Sequence, residues 1–179
     1  MTLDVLVTIL PSTPSAWVET ALASVSEAAR EAPFTVNTIR VPGVPGHVGQ
    51  AMMDGLQLST AEYVAWVDDD DWVLPRAFSV LTDALAQQPI AVCAREMWVY
   101  ANGYETPFTE RHHLTAWNSA WAKAQDLSLF RATPLLCLLK RLPSDVIDVY
   151  DTVYMHRKRR SPAQALRKAH AAAESKLWL

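Results

Sequence analysis

The sequence predicts an α/β domain with a mostly parallel central sheet and helices on both faces. Three observations predict it. Over residues 3–67, apolar runs and helical periodicities alternate as strand, helix, strand, helix, strand. The segments between them are dense in Pro, Gly and Ser, which cannot continue either element. The composition, 50% hydrophobic and 20% charged over 179 residues, suits one buried core, because a chain this long hides roughly 70% of its unfolded surface. Disorder, a collagen-like repeat and a disulfide framework are excluded.

Residues 3–10 (LDVLVTIL) form an apolar, partly β-branched run ending at Pro11, and the turn-rich Pro11, Ser12, Thr13, Pro14 and Ser15 follow. A helix is predicted over 16–32, with Trp17, Val18, Ala21, Leu22 and Val25 at helical spacing, Ser15 as N-cap and Pro33 as the stop. A strand over 34–41 leads to Pro42, Gly43, Val44, Pro45 and Gly46, a shaped loop. A helix over 47–58 and a strand over 62–67 (EYVAWV) complete the alternation, and that strand runs into four aspartates. In such sheets ligands bind beyond the carboxyl ends of the strands.

Beyond Pro75 the pattern predicts a helix to about residue 87, strands at 90–94 and 97–100, and a turn at Asn102 and Gly103. Residues 114–130 read as helix, 135–141 as a short apolar helix, 146–156 as strand and 162–176 as an Ala-rich helix. With no repeat and no linker, residues 1–179 read as one domain, with a ligand-binding half to about residue 100 and a second half from 101.

No run approaches the ~20 apolar residues of a spanning helix, so no integral membrane segment is expected. Asp4 interrupts an N-terminus without a basic region, so a signal peptide is not expected either, and the cytoplasm is the expected location. Cys93 and Cys137 sit in apolar runs without metal-ligand spacing and are expected to be buried thiols. Charge is uneven. Residues 150–179 carry seven Lys or Arg against Asp151 and Glu174, a net of +5 that, within the whole chain's −3, leaves −8 for residues 1–149. A basic tail of this kind often meets phosphates or anionic surfaces.

The strongest chemical feature is Asp68, Asp69, Asp70 and Asp71, followed by Trp72. Four adjacent carboxylates at a strand end repel one another unless a cation or strong donors neutralise them. Strand alternation puts Asp68 and Asp70 on one side and Asp69 on the other. Paired hard oxygens of this kind suit magnesium or manganese, which in turn hold diphosphate. The alternative is a solvated acidic turn, with Asp71 capping the helix that starts at Pro75.

Residues 46–75 (GHVGQAMMDGLQLSTAEYVAWVDDDDWVLP) resemble the donor-binding heart of family 2 glycosyltransferases of the GT-A fold. Asp68, Asp70, Asp71 and Pro75 fall on the family's Asp-x-Asp-Asp-x-x-x-Pro spacing, after Gly55-Leu56 and Ala61-Glu62-Tyr63, and the opening VLVTILPSTPSAWVETALASV matches as well. The resemblance covers about residues 3–85. It implies a GT-A fold and an enzyme that transfers a sugar from a nucleoside diphosphate sugar to an acceptor hydroxyl, with inversion and with Mn2+ or Mg2+. Pro11, Ser12 and Thr13 would then border the base, Asp69 and Trp72 would help bind the donor, Asp68 would meet ribose or metal, and Asp70 would hold the metal. Two departures stand out. Arg40, Val41, Pro42 and Gly43 replace the family's acidic turn, and Ala51, Met52 and Met53 replace its Ala-Arg-Asn step, so the donor's base stays open, purines included.

Inverting transfer needs a carboxylate base. The nearest match to the family's Glu-Asp helix start is Gln125-Asp126, which makes Asp126 the first candidate and Asp151 the alternative. His112 and His113 are candidates for the acceptor cleft, and His156 or His170 for completing the metal site. Trp66 reads as core. Trp72 is the best placed to stack on a sugar, with Trp98, Trp117 and Trp121 behind it. Arg157, Lys158, Arg159 and Arg160 would meet diphosphate, an anionic acceptor or a membrane surface. The acceptor class spans a glycan, a protein side chain or a modified nucleobase. A nucleotidyltransferase on a related fold and a non-catalytic nucleotide-sugar-binding module are the competing readings.

Overall fold

A computed structural model of the chain describes residues 1–108, 113–126, 138, 141 and 144–158. The expectations for His112, Cys137, Arg159, Arg160, His170 and the helix over 162–176 lie outside them, as does most of 135–141.

The first half follows the alternation: β1 (Thr2–Ile9), α1 (Ser15–Glu31), β2 (Thr35–Pro42), α2 (Val48–Leu58) and β3 (Tyr63–Asp68). After β4 (Trp72–Val73) come α3 (Thr82–Leu85), β5 (Ala91–Tyr100), β6 (Glu105–Phe108), β7 (Thr115–Asn118), α4 (Ser119–Lys123) and β8 (Val146–Lys158). The sheet order is β2-β1-β3-β7-β5-β8-β4, with β6 on β5. β1 pairs in parallel with β2 and β3, and β5 with β8, whereas β7, β4 and β6 run antiparallel to their neighbours. β1, β2, β3, β5 and β8 therefore point the same way, and their carboxyl ends share one edge.

Alternation along β1 and β3 explains the layering. Leu3, Val5 and Val7 join Tyr63, Ala65 and Val67 on one face, where Val25 and Ala28 of α1 and Phe78, Leu81 and Leu85 cover them. Leu6, Val64 and Trp66 face the other way, onto Met52 and Leu56 of α2 and onto Trp117 and Ala122. Both faces are buried, so these strands read as continuous apolar runs. Gly55 lets α2 lie close to the sheet, since a Cβ there would stand 2.9 Å from Leu6 and Val41. Among the described residues no helix is long and apolar enough to cross a membrane. Cys93 is buried, as expected.

Several local expectations are corrected. Ser15 opens α1 instead of capping it, because Pro14, extended at ψ 134°, offers its carbonyl to the N–H groups of Trp17 and Val18. The helix expected to residue 87 shortens to a 3-10 turn, Ser79–Leu81, and the single turn of α3, and Gln88 at φ 56° redirects the chain. The two strands at 90–94 and 97–100 are one, β5. Residues 115–118, expected as helix, form β7 because they fill the gap between β3 and β5, where pairing outweighs local propensity. The helix resumes only at α4, with Asn118 accepting from the Trp121 N–H at 3.1 Å.

Candidate functional site

The shared edge gathers the loop after β1, the loop after β2, the aspartates after β3 and the end of β8. The β2 loop is held against β1 by the Gly43 N–H, which donates to the Ile9 carbonyl at 2.7 Å. A Cβ on Gly43 would stand 2.8 Å from that oxygen, and backbone cannot yield as a side-chain tip can. Gly43→Ala is accordingly expected to cost about 2 kcal/mol of stability through overpacking, read as a lowered urea midpoint. An unchanged midpoint would show that the loop yields.

Each aspartate has its own surroundings. Asp69 is buried and accepts from the Leu10 N–H at 2.7 Å. Burial pushes its carboxyl up, against hydrogen bonds from Leu10 and Thr13. It braces Pro11, Ser12 and Thr13 beside the aspartate loop. Asp68 and Asp70 are partly exposed, and Asp68 and Asp70, with Asp71, each offer an oxygen within 4.8 Å of the others.

Asp71 is 1% exposed, and no helix starts at Pro75 for it to cap. It accepts from the Tyr154 hydroxyl and from the Arg157 N–H, both at 2.7 Å. His156 Nδ1 lies 3.1 Å from Asp71 Oδ2. The carboxylate thereby welds the end of β8 to the loop after β3. Tyr154 bridges the two as well, and the Asp68 N–H donates to its hydroxyl at 3.2 Å. Burial, and then the charges of Asp71 and Asp68, raise that phenol well above its usual range.

His113, expected in an acceptor cleft, is instead buried among these groups. Its Nδ1 meets Glu96 Oε2 at 2.7 Å and its Nε2 lies 3.4 Å from Asp68 Oδ2. Burial opposes the charged ring, but hydrogen bonds and charge from Asp68 and Glu96 outweigh it and push the imidazole up to about 10. His156 stacks on it with centroids 4.5 Å apart, and Asp71, His113 and His156 each offer an atom within 4.8 Å of the others.

At Trp72, expected to stack on a sugar, the Arg157 guanidinium lies over the ring at 5.0 Å, as it does over Trp17 at 4.7 Å. Arg157 also donates through Nε to the Asp70 carbonyl at 2.7 Å, so the basic segment reaches the aspartate loop. Trp117 is fully buried and stacks on Trp121 in the core under α2. Trp98 lies against Phe108 with Lys158 3.9 Å from its centroid, so these three tryptophans are not a second rank behind Trp72.

The two base candidates have their own surroundings. Asp126 follows α4, which starts where the Ser119 N–H donates to the Glu62 carbonyl and where Lys123 Nζ donates to the Ser59 carbonyl. Both anchors lie at the amino end of β3, about 17 Å of strand from Asp68. Asp151 faces Arg76, 3.8 Å away, beside an irregularity in the pairing of β5 with β8 that leaves Tyr150 exposed. Glu96 and Tyr154 are site residues to which the sequence pattern assigns no role. The available signal was an acid inside the β5 apolar run, and a tyrosine two residues before His156.

The donor set fits a divalent cation. Asp68 and Asp70 supply hard oxygens that reach solvent, while buried donors already hold Asp71 in place.

The family model for glycosyl transferase family 2 matches residues 23–142. Comparison with curated protein sequences finds no match. Among solved structures the chain is similar to Staphylococcus aureus TarS 1–349, with a TM-score of 0.63 and 15% identity over 88% of this chain and 60% of that one. The same protein in complex with UDP gives a TM-score of 0.63 at 15% identity over 88% and 61%. In complex with UDP-GlcNAc it gives 0.57 at 14% over 90% and 60%. The chain thus spans about 60% of the length of the TarS structures it resembles. Its strand order, the cluster at the carboxyl edge and the match over residues 23–142 together identify a GT-A fold in a chain that belongs to glycosyl transferase family 2.

Proposed function

We propose that the chain is the donor-binding core of a glycosyltransferase that moves a sugar, with inversion, from a nucleoside diphosphate to the hydroxyl of a glycan, a protein or a modified nucleobase, using Mn2+ or Mg2+. The observation that carries this reading is the convergence of Asp68 and Asp70 with Pro11, Ser12 and Thr13 through the Asp69 brace. In this reading Pro11, Ser12 and Thr13 border the base, Asp68 faces the donor's ribose and ion, and Asp70 and His156 hold the ion. A divalent ion held there would neutralise the charge that develops on the leaving diphosphate. Arg157, fixed between Trp17 and Trp72, adds positive charge beside Asp70. TarS has been crystallised with UDP and UDP-GlcNAc, which makes UDP the first probe. Calorimetry is expected to find UDP or another nucleoside diphosphate bound in manganese and at least about tenfold weaker in EDTA. No binding in either condition would contradict the proposal.

The anchoring of α4 argues against Asp126 as the base. Asp126→Asn is therefore expected to retain transfer within about threefold in initial-rate assays. A loss of a hundredfold or more, the scale of removing a general base, would restore Asp126 to that role.

A further inference from the structure

We propose that Glu96 and His113 form a positioning bracket that sets the orientation of Asp68 toward the donor, an inference that rests on the reading above. Glu96 is 2% exposed, on β5. Its Oε2 accepts from the His113 backbone N–H at 3.2 Å and meets the ring's Nδ1 at 2.7 Å, while its Oε1 accepts from Trp98 Nε1 at 2.6 Å. Both carboxylate oxygens are thus engaged in holding other groups. A buried carboxylate is costly unless it is held in this way. The ring is packed against two others as well, nearly parallel to Tyr154 at 4.9 Å and against His156 at 4.5 Å.

Leu114, the next residue, takes φ +24°, a conformation L side chains rarely adopt and one that persists only where the surroundings enforce it. The strain lies where the chain must turn His113 inward before β7 begins. The outcome of these constraints is one contact: Nε2 stands 3.4 Å from Oδ2 of Asp68, whose side chain is 46% exposed at a strand end. An exposed carboxylate samples several rotamers, and His113 narrows that choice. The arrangement follows the general design in which outer partners orient the groups that touch an ion or substrate.

The test is a double-mutant cycle on UDP affinity in saturating manganese. Glu96→Gln keeps the shape and removes the charge that orients the ring. It is expected to raise Kd and donor KM about tenfold, the lower end for outer partners of a metal site, with kcat changed less. In an Asp68→Asn background the same change is expected to add less than twofold, because the bracket acts through Asp68. His113→Gln should follow the same pattern, and it supplies the answer if Glu96→Gln fails to fold. A merely structural role would lower the folded fraction and leave the Kd of the remainder unchanged. Equal effects in both backgrounds, or none in the wild type, would overturn the bracket alone. A wild-type protein that binds no nucleotide would overturn both readings.

Discussion

Asp70→Ala is expected to lower sugar transfer by about a thousandfold, the upper range for removing one group that stabilises developing charge, while the melting temperature stays within a few degrees. The two halves of this expectation have separate causes. Asp70 is partly exposed, and its bond to Arg157 runs through the backbone carbonyl, which alanine keeps. What the substitution removes is one of the two accessible carboxylates proposed to hold the ion. Initial rates across a manganese titration, with a melt on the same sample, check both halves. Turnover within threefold of wild type would remove Asp70 from the mechanism.

Asp4→Ala is expected to cost about 3 kcal/mol, because it strands two buried donors and two part-buried ones at once. Asp4 is 2% exposed in β1 and accepts from Asn37 Nδ2 at 2.9 Å, the Ser59 hydroxyl at 2.8 Å, and the N–H groups of Thr60 and Ala61 at 2.9 and 3.1 Å. One carboxylate thereby ties β1 to β2 and to the turn that delivers β3. Burial pushes the Asp4 carboxyl up, but the four hydrogen bonds together outweigh it and hold it below the usual 3.8. The folded state therefore binds this proton less readily than the unfolded chain. Its contribution is full above about pH 4 and is lost as the pH falls through the lower folded value. Urea unfolding of wild type and Asp4→Asn should differ most near neutrality and converge in acid. A gap that widens on acidification would contradict the assignment.

The strands and helices up to Asp68 were legible because each face of the buried strands meets its own helix, so period and burial agree. The carboxylate pair was legible because four adjacent acids at a strand end repel one another and so point to a cation or to strong donors. β7 was not, since Thr115, Ala116, Trp117 and Asn118 are strand only by virtue of neighbours distant in sequence. The place of His113 was hidden for the same reason. Nothing near it in sequence reveals that Glu96, Tyr154 and His156 close around it. Trp72 invited a sugar-stacking role because its partner, Arg157, arrives from 85 residues further along the chain. Asp71, a helix cap in the alternative reading of the cluster, is the group that fastens the late strand β8 to the first half of the fold.

The most direct measurement is an anomalous difference map from crystals grown with manganese and UDP. The account predicts a manganese peak within coordinating distance of Asp70 and of both phosphates, with the nucleotide beside Pro11, Ser12 and Thr13. Manganese bound away from Asp68 and Asp70, or a nucleotide seated off the carboxyl edge of β1 and β3, would contradict it.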